Sequence, residues 1–163
     1  MSATPATAGN TMDDHQELWD SLQRAGVTTH INPSDCKPDF FGFYNRQDVR
    51  LVICQENGRP GGAQVAWTDE DLDTLRHEAH HVIQDCKVGG IGDMRSDTLF
   101  ELEQLKEFLV KSSLSTDEVE RIIENYADQG ASREVIIMEL EAFAVARDVP
   151  ASSISRAVER YCM

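Results

Sequence analysis

Apolar residues recur every three or four positions between Asp69 and Cys86, where Leu72, Leu75, Ala79, Val82, Ile83 and Cys86 make one continuous stripe. That spacing predicts an amphipathic helix. Thr68 precedes it as an N-cap, with Asp71 three residues on in the place of a capping-box partner, and Gly89-Gly90-Ile91-Gly92 ends it. Upstream, Met12 to Ala25 predicts another helix, because Leu18, Leu22 and Ala25 share a face and Asp13 and Asp14 sit at its start. Downstream, the same period predicts helices over about Thr98 to Val110, Thr116 to Asp128 and Ser132 to Arg147. Ser115 or Thr116, and then Ser132, supply caps, Gly130 separates the last two, and a terminal helix runs from Pro150 to Tyr161.

Between the first two helices the pattern changes. Phe40 to Tyr44 and Val49 to Gln55 are rich in aromatic and β-branched residues, and Asn45 to Asp48 lies between them, which predicts a hairpin. Asn32-Pro33-Ser34-Asp35 and Asn57 to Gly62 are turn signals, the second followed by a short strand candidate, Ala63 to Trp67. No internal repeat or coiled-coil heptad is present. The expected fold class is therefore α+β: a small antiparallel sheet followed by a helical bundle, whose central helix carries the chemistry described below. One domain is expected over residues 12–163, behind a disordered tail of residues 1–11 that is rich in Ala, Thr and Gly.

Composition narrows the function classes. Across 163 residues, 40% hydrophobic and 27% charged content is ordinary for a globular protein, but the formal net charge is −14. That excess repels phosphate backbones and anionic membrane surfaces, so nucleic acid and membrane are not expected partners, and a basic peptide or protein is the better electrostatic match. No apolar run approaches the ~18 residues that a membrane span requires. Met1 to Asn10 has neither the basic start nor the apolar core of a secretory signal, which sets the expectation of a cytoplasmic protein. The four cysteines, Cys36, Cys54, Cys86 and Cys162, form no C-x-x-C pair. In a reducing compartment they are expected as free thiols, with Cys36 and Cys54 the one pair placed to bridge across a strand.

Residues 77 to 81 read His-Glu-Ala-His-His and satisfy H-E-x-x-H through His77, Glu78 and His81. On a helix, positions i and i+4 lie about 40° apart and one turn along, so two imidazoles can converge on one ion. Glu78 sits beside them, placed to act as general base toward a water held there. On the helix wheel, His77 and His81 point nearly opposite the apolar stripe. They are either solvated histidines on a polar face or the floor of a cleft that another element must roof. His80, further round the helix, is taken as a polar neighbour.

A catalytic zinc ion usually takes three protein ligands. The extended motif with a third downstream histidine is absent, since Gln84 and Lys87 occupy the glycine and histidine positions, and His15 and His30 lie upstream. A carboxylate from a later helix is the remaining choice. Glu141 groups on its wheel with Glu134 and Asp148, a solvated edge, whereas Glu139 falls among Val135, Ala142, Phe143 and Ala146. A carboxylate on an apolar face is costly unless a cation compensates it, so Glu139 is the expected ligand.

At these residues the chain resembles the gluzincin metallopeptidases, which combine H-E-x-x-H on one helix with a Glu ligand, often within E-x-x-A, on a later one. The matching residues are His77-Glu78-Ala79-His80-His81 and Glu139-Leu140-Glu141-Ala142. The resemblance covers roughly Phe40 to Arg147. It implies one Zn2+ ion held by His77, His81 and Glu139, Glu78 as general base, and a sheet edge just upstream that holds a peptide substrate. Phe143 stands where some members carry an acidic residue after E-x-x-A, so the groups that orient the ligands are not assigned. The expected function is a zinc metalloendopeptidase, with Tyr126 and Tyr161 as candidate donors to the developing oxyanion. A metal-stabilised binding or regulatory module without turnover is the alternative. A di-iron bundle would need a second E-x-x-H, and no histidine follows His81.

Overall fold

The computed structural model describes residues 12–92 and 96–163, so the expected tail of residues 1–11 lies outside the described residues. Its elements are α1 (Met12–Arg24), β1 (Thr28–Ile31), β2 (Gly42–Asn45), β3 (Arg50–Ile53), α2 (Asp69–Lys87), α3 (Leu102–Lys111), α4 (Thr116–Asp128), α5 (Arg133–Asp148) and α6 (Ala151–Cys162). The class is α+β, with a three-stranded sheet and six helices among the described residues.

The order of the sheet follows from its one uninterrupted apolar run. Leu51, Val52 and Ile53 of β3 are all buried, as a strand covered on both faces must be. β3 is accordingly central, in the order β1-β3-β2. Leu51 and Ile53 enter the main core beside Leu75, Ala79 and Val82 of α2, while Val52 faces a smaller cluster with Cys36, Cys54 and Phe43. β2 and β3 form the expected antiparallel hairpin, but β1 pairs with β3 in parallel, so the sheet is mixed and not the antiparallel one expected. Thr28-Thr29-His30-Ile31 is too short and too polar to signal a strand; pairing with β3 makes it one. The expected strand Ala63 to Trp67 does not form. Both edges of β3 are already taken, and the Gln55 side-chain amide stands in for a partner strand: Nε2 donates to Val65 O at 2.8 Å and Oε1 accepts from Val65 N at 2.8 Å.

The helix starts follow the cap signals. Thr68 and Asp71 form a reciprocal capping box on α2, Ser115 accepts from Glu118 N, and Ser132 accepts from Val135 N. α1, α2 and α6 enclose the core around Leu18, Leu22, Leu75, Ile83, Ile154 and Val158. Arg76 ties α2 to its neighbours, donating from Nε to Ala146 O at 2.7 Å and lying 2.9 Å from His15 Nε2 through Nη1.

The expectation of free thiols is overturned. Cys36 bonds to Cys54, and Cys86 bonds to Cys162, joining the C-terminal ends of α2 and α6. The second pair is separated by 76 residues, a distance at which spacing carries no signal.

Candidate functional site

α2 and α5 pack against each other, and α5 supplies the roof that the polar face of α2 requires. His77 and His81, one turn apart on α2, present their Nε2 atoms 3.2 Å from each other. Glu139 comes down from α5 onto both, with Oε1 3.1 Å from His77 Nε2 and Oε2 2.9 Å from His81 Nε2. Glu78, half-buried beside them, brings a carboxylate oxygen within 4.8 Å of the ring nitrogens. Two imidazole nitrogens and the two oxygens of one carboxylate, in contacts of 2.9–3.2 Å, could hold a divalent cation between them, with Glu78 alongside. Glu139 contacts both histidines directly, one oxygen to each, and so stands beside Glu78 as a candidate third ligand.

The electrostatics of the site follow from its burial. Burial opposes ionisation of Glu139, but hydrogen bonds from His77 and His81 outweigh it and hold the carboxyl well below the usual carboxylate range. Burial likewise opposes a charge on His81, yet the facing Glu139, aided by Glu78, raises its pKa to about 9. His81 and Glu139 are thus strongly coupled, each favouring the charged form of the other.

Three neighbours complete the site. Tyr126, on α4, donates its hydroxyl to Glu139 Oε1 at 2.9 Å, and burial followed by the nearby Glu139 charge pushes its pKa up. Tyr161 packs instead against the main core, so of the two candidate tyrosines only Tyr126 reaches the site. Phe143 stacks edge-on against the His77 ring, with centroids 4.4 Å apart. Gln84, one turn past His80, accepts from His81 Nδ1 at 2.7 Å. His15 lies against Arg76 and His30 is exposed on β1, and neither joins the cluster.

Glu141 is a correction. The wheel places it on a solvated edge, but it is 0% exposed and accepts from His80 Nε2 at 2.7 Å. His80, read as a polar neighbour, is 1% exposed and part of that buried pair. The segment Leu99–Phe100 covers this side of α5 and donates two backbone amides to Glu141, which is also why α3 begins at Leu102 instead of near Thr98. A helix wheel has no knowledge of a covering loop. Only the unusual run Glu139-Leu140-Glu141, two carboxylates on opposite faces of one helix, hinted that both could be buried.

The cluster opens into a cleft of about 370 Å³ walled by Gly42, Phe43 and Tyr44 of β2, by Tyr126, and by Ser96 and Met138. Among the described residues β2 is an edge strand, whose outer backbone groups can pair with a ligand. Gly42 lets it lie close to α2: a Cβ there would stand 2.5 Å from Val52 O and 2.8 Å from Thr74 Cγ2. Tyr44 locks the strand to α2 from the other end, donating to Asp85 Oδ2 at 2.7 Å.

No curated protein and no solved structure matches the chain. The family described as a domain of unknown function, DUF8637, matches residues 10–163. That span is nearly the whole chain, and the protein therefore belongs to the DUF8637 family.

Proposed function

We propose that this protein is a zinc-dependent metallopeptidase, with His77, His81 and Glu139 as metal ligands and Glu78 as general base. The observation that carries the proposal is the convergence of two imidazole nitrogens and one carboxylate from separate helices at 2.9–3.2 Å. Ligand atoms about 2.0–2.1 Å from a tetrahedral zinc ion lie about 3.3 Å from one another, so the donor set fits that ion with little movement. When bound, zinc supplies Lewis acidity, polarising a carbonyl and lowering the pKa of water to about 7. The chain's own residues do the rest. Glu78 takes the proton of the attacking water at a carboxylate oxygen. The open edge of β2 offers backbone donors and acceptors to an extended peptide, which favours a peptide over a compact substrate. The Tyr126 hydroxyl lies at the cleft, where turning from Glu139 would let it donate to the carbonyl oxygen.

The net charge of −14 favours a basic peptide or protein as substrate and disfavours nucleic acid and anionic membranes. Two disulfides favour an oxidising compartment over the cytoplasm. A second reading, a metal-stabilised binding module without turnover, draws on the commitment of the Tyr126 hydroxyl to Glu139.

The test combines elemental analysis with cleavage of a basic peptide library. Parent and Glu78→Gln should each carry one equivalent of zinc, and only the parent should cleave. His81→Ala and Glu139→Ala should lose the metal. Full zinc occupancy in both alanine variants would refute the site, whereas zinc without cleavage in the parent would favour the binding module.

A further inference from the structure

Four donors converge on the buried carboxylate of Glu141. His80 Nε2, Gln84 Nε2 and Leu99 N lie 2.7, 3.1 and 2.8 Å from Oε1, and Phe100 N lies 3.0 Å from Oε2. An ion this deep is tolerated only when its lone pairs are filled, and here they are. The far end of Gln84 makes Glu141 more than a clip for the loop. Gln84 Nε2 also donates to Met138 O at 3.0 Å, and a carbonyl, like a carboxylate, can only accept. The orientation of the amide is thereby fixed, and Oε1 must be the end turned to His81 Nδ1, 2.7 Å away. Nδ1 therefore carries a proton, which leaves Nε2 as the atom that can coordinate.

We propose that Glu141 is a positioning residue for the site: together with Met138 O it anchors Gln84, whose Oε1 sets the ring plane of His81, and through the amides of Leu99 and Phe100 it holds the segment that brings Ser96 to the same cleft. Its value to function rests on the metal site proposed above, although the relay itself exists without an ion. No sequence pattern identifies Glu141 for this task, because His80, Gln84 and the loop meet only in the folded chain. A purely structural role for Glu141 would leave the state of the His81 ring unchanged, and that difference makes the two roles separable.

The full-length chain should be compared in three forms: parent, Glu141→Gln and Gln84→Met. In the metal-free parent, NMR should show a slowly exchanging His81 Nδ1 proton; its exchange should quicken most in Gln84→Met, which removes the acceptor, and measurably but less in Glu141→Gln, where Met138 O still holds the Gln84 amide. With zinc chloride as the probe, affinity should fall about 10–100-fold in Gln84→Met and by a smaller factor in Glu141→Gln. Amide exchange at Leu99 and Phe100 should quicken in Glu141→Gln and stay near parental in Gln84→Met. Retention of both the Nδ1 signal and parental zinc affinity in the single variants overturns the proposal. If Glu141→Gln does not fold, the Nδ1 signal and zinc affinity of Gln84→Met decide the matter alone. A parent that binds no zinc refutes the proposed function, while the Nδ1 signal in the metal-free forms still decides the relay.

Discussion

Reduction of the two disulfides should bring this protein close to unfolding, and the effect can be worked out bond by bond. Cys36–Cys54 closes a loop of 18 residues and Cys86–Cys162 one of 76. In the chain-entropy description, such loops restrict the unfolded state by about 3 and about 4.5 kcal/mol respectively. The loops do not overlap, so the contributions add to roughly half or more of the ~5–15 kcal/mol that separates folded from unfolded states in ordinary domains. At about 2–4 °C per kcal/mol for a chain of this size, Cys162→Ala should lower Tm by about 9–18 °C and Cys36→Ala by about 6–13 °C. Alanine is the better replacement because Cys36, Cys54 and Cys86 are buried and a serine hydroxyl would add a cost of its own. The assay is differential scanning calorimetry of the metal-free protein with and without reductant, beside thiol counting on the native chain. Four titratable thiols in unreduced protein, or a Tm that reductant moves by less than about 3 °C, would refute the reasoning and with it the case for an oxidising compartment.

Three further outcomes are expected. In Gly42→Ala the new methyl meets the Val52 carbonyl at 2.5 Å, which is backbone and cannot turn aside, so β2 must retreat; a loss of about 1–3 kcal/mol in urea unfolding, with faster amide exchange along β2, is expected. Tyr126→Phe should keep zinc within a few-fold of the parent yet lower kcat about 100-fold with KM little changed if the hydroxyl serves the oxyanion, and an unaltered kcat removes it from the mechanism. Burial, and then the bond to Asp85, raise the pKa of Tyr44, so its contribution is complete below the unfolded value of 10.0 and is lost as pH rises beyond it. Stability should therefore fall above about pH 10, and fall less steeply in Tyr44→Phe, as read from urea midpoints between pH 8 and 11.

How much of this was legible before folding depends on the range over which each feature is determined. The helix carrying His77 and His81, its Thr68 cap, the later caps at Ser115 and Ser132, and the hairpin of β2 and β3 follow from periodicity and turn chemistry within a dozen residues. The placing of Glu139 against both histidines was anticipated by an energetic argument, since a carboxylate among Val135, Ala142 and Phe143 needs a compensating partner. What tertiary structure decided is of another kind. β1 is a strand only because β3 offers it an edge, and Ala63 to Trp67 is not one because that edge was already filled. Cys86 and Cys162 meet because α2 and α6 pack with their C-terminal ends together. The clearest case is a pair of glutamates two residues apart on α5: Glu139 could be read from its apolar neighbours, but Glu141 could not, because its burial depends on a distant loop and on His80 of another helix. Local sequence determines which face of a helix a side chain occupies; the environment of that face, and hence the cost of a charge on it, is set only when the other elements close over it.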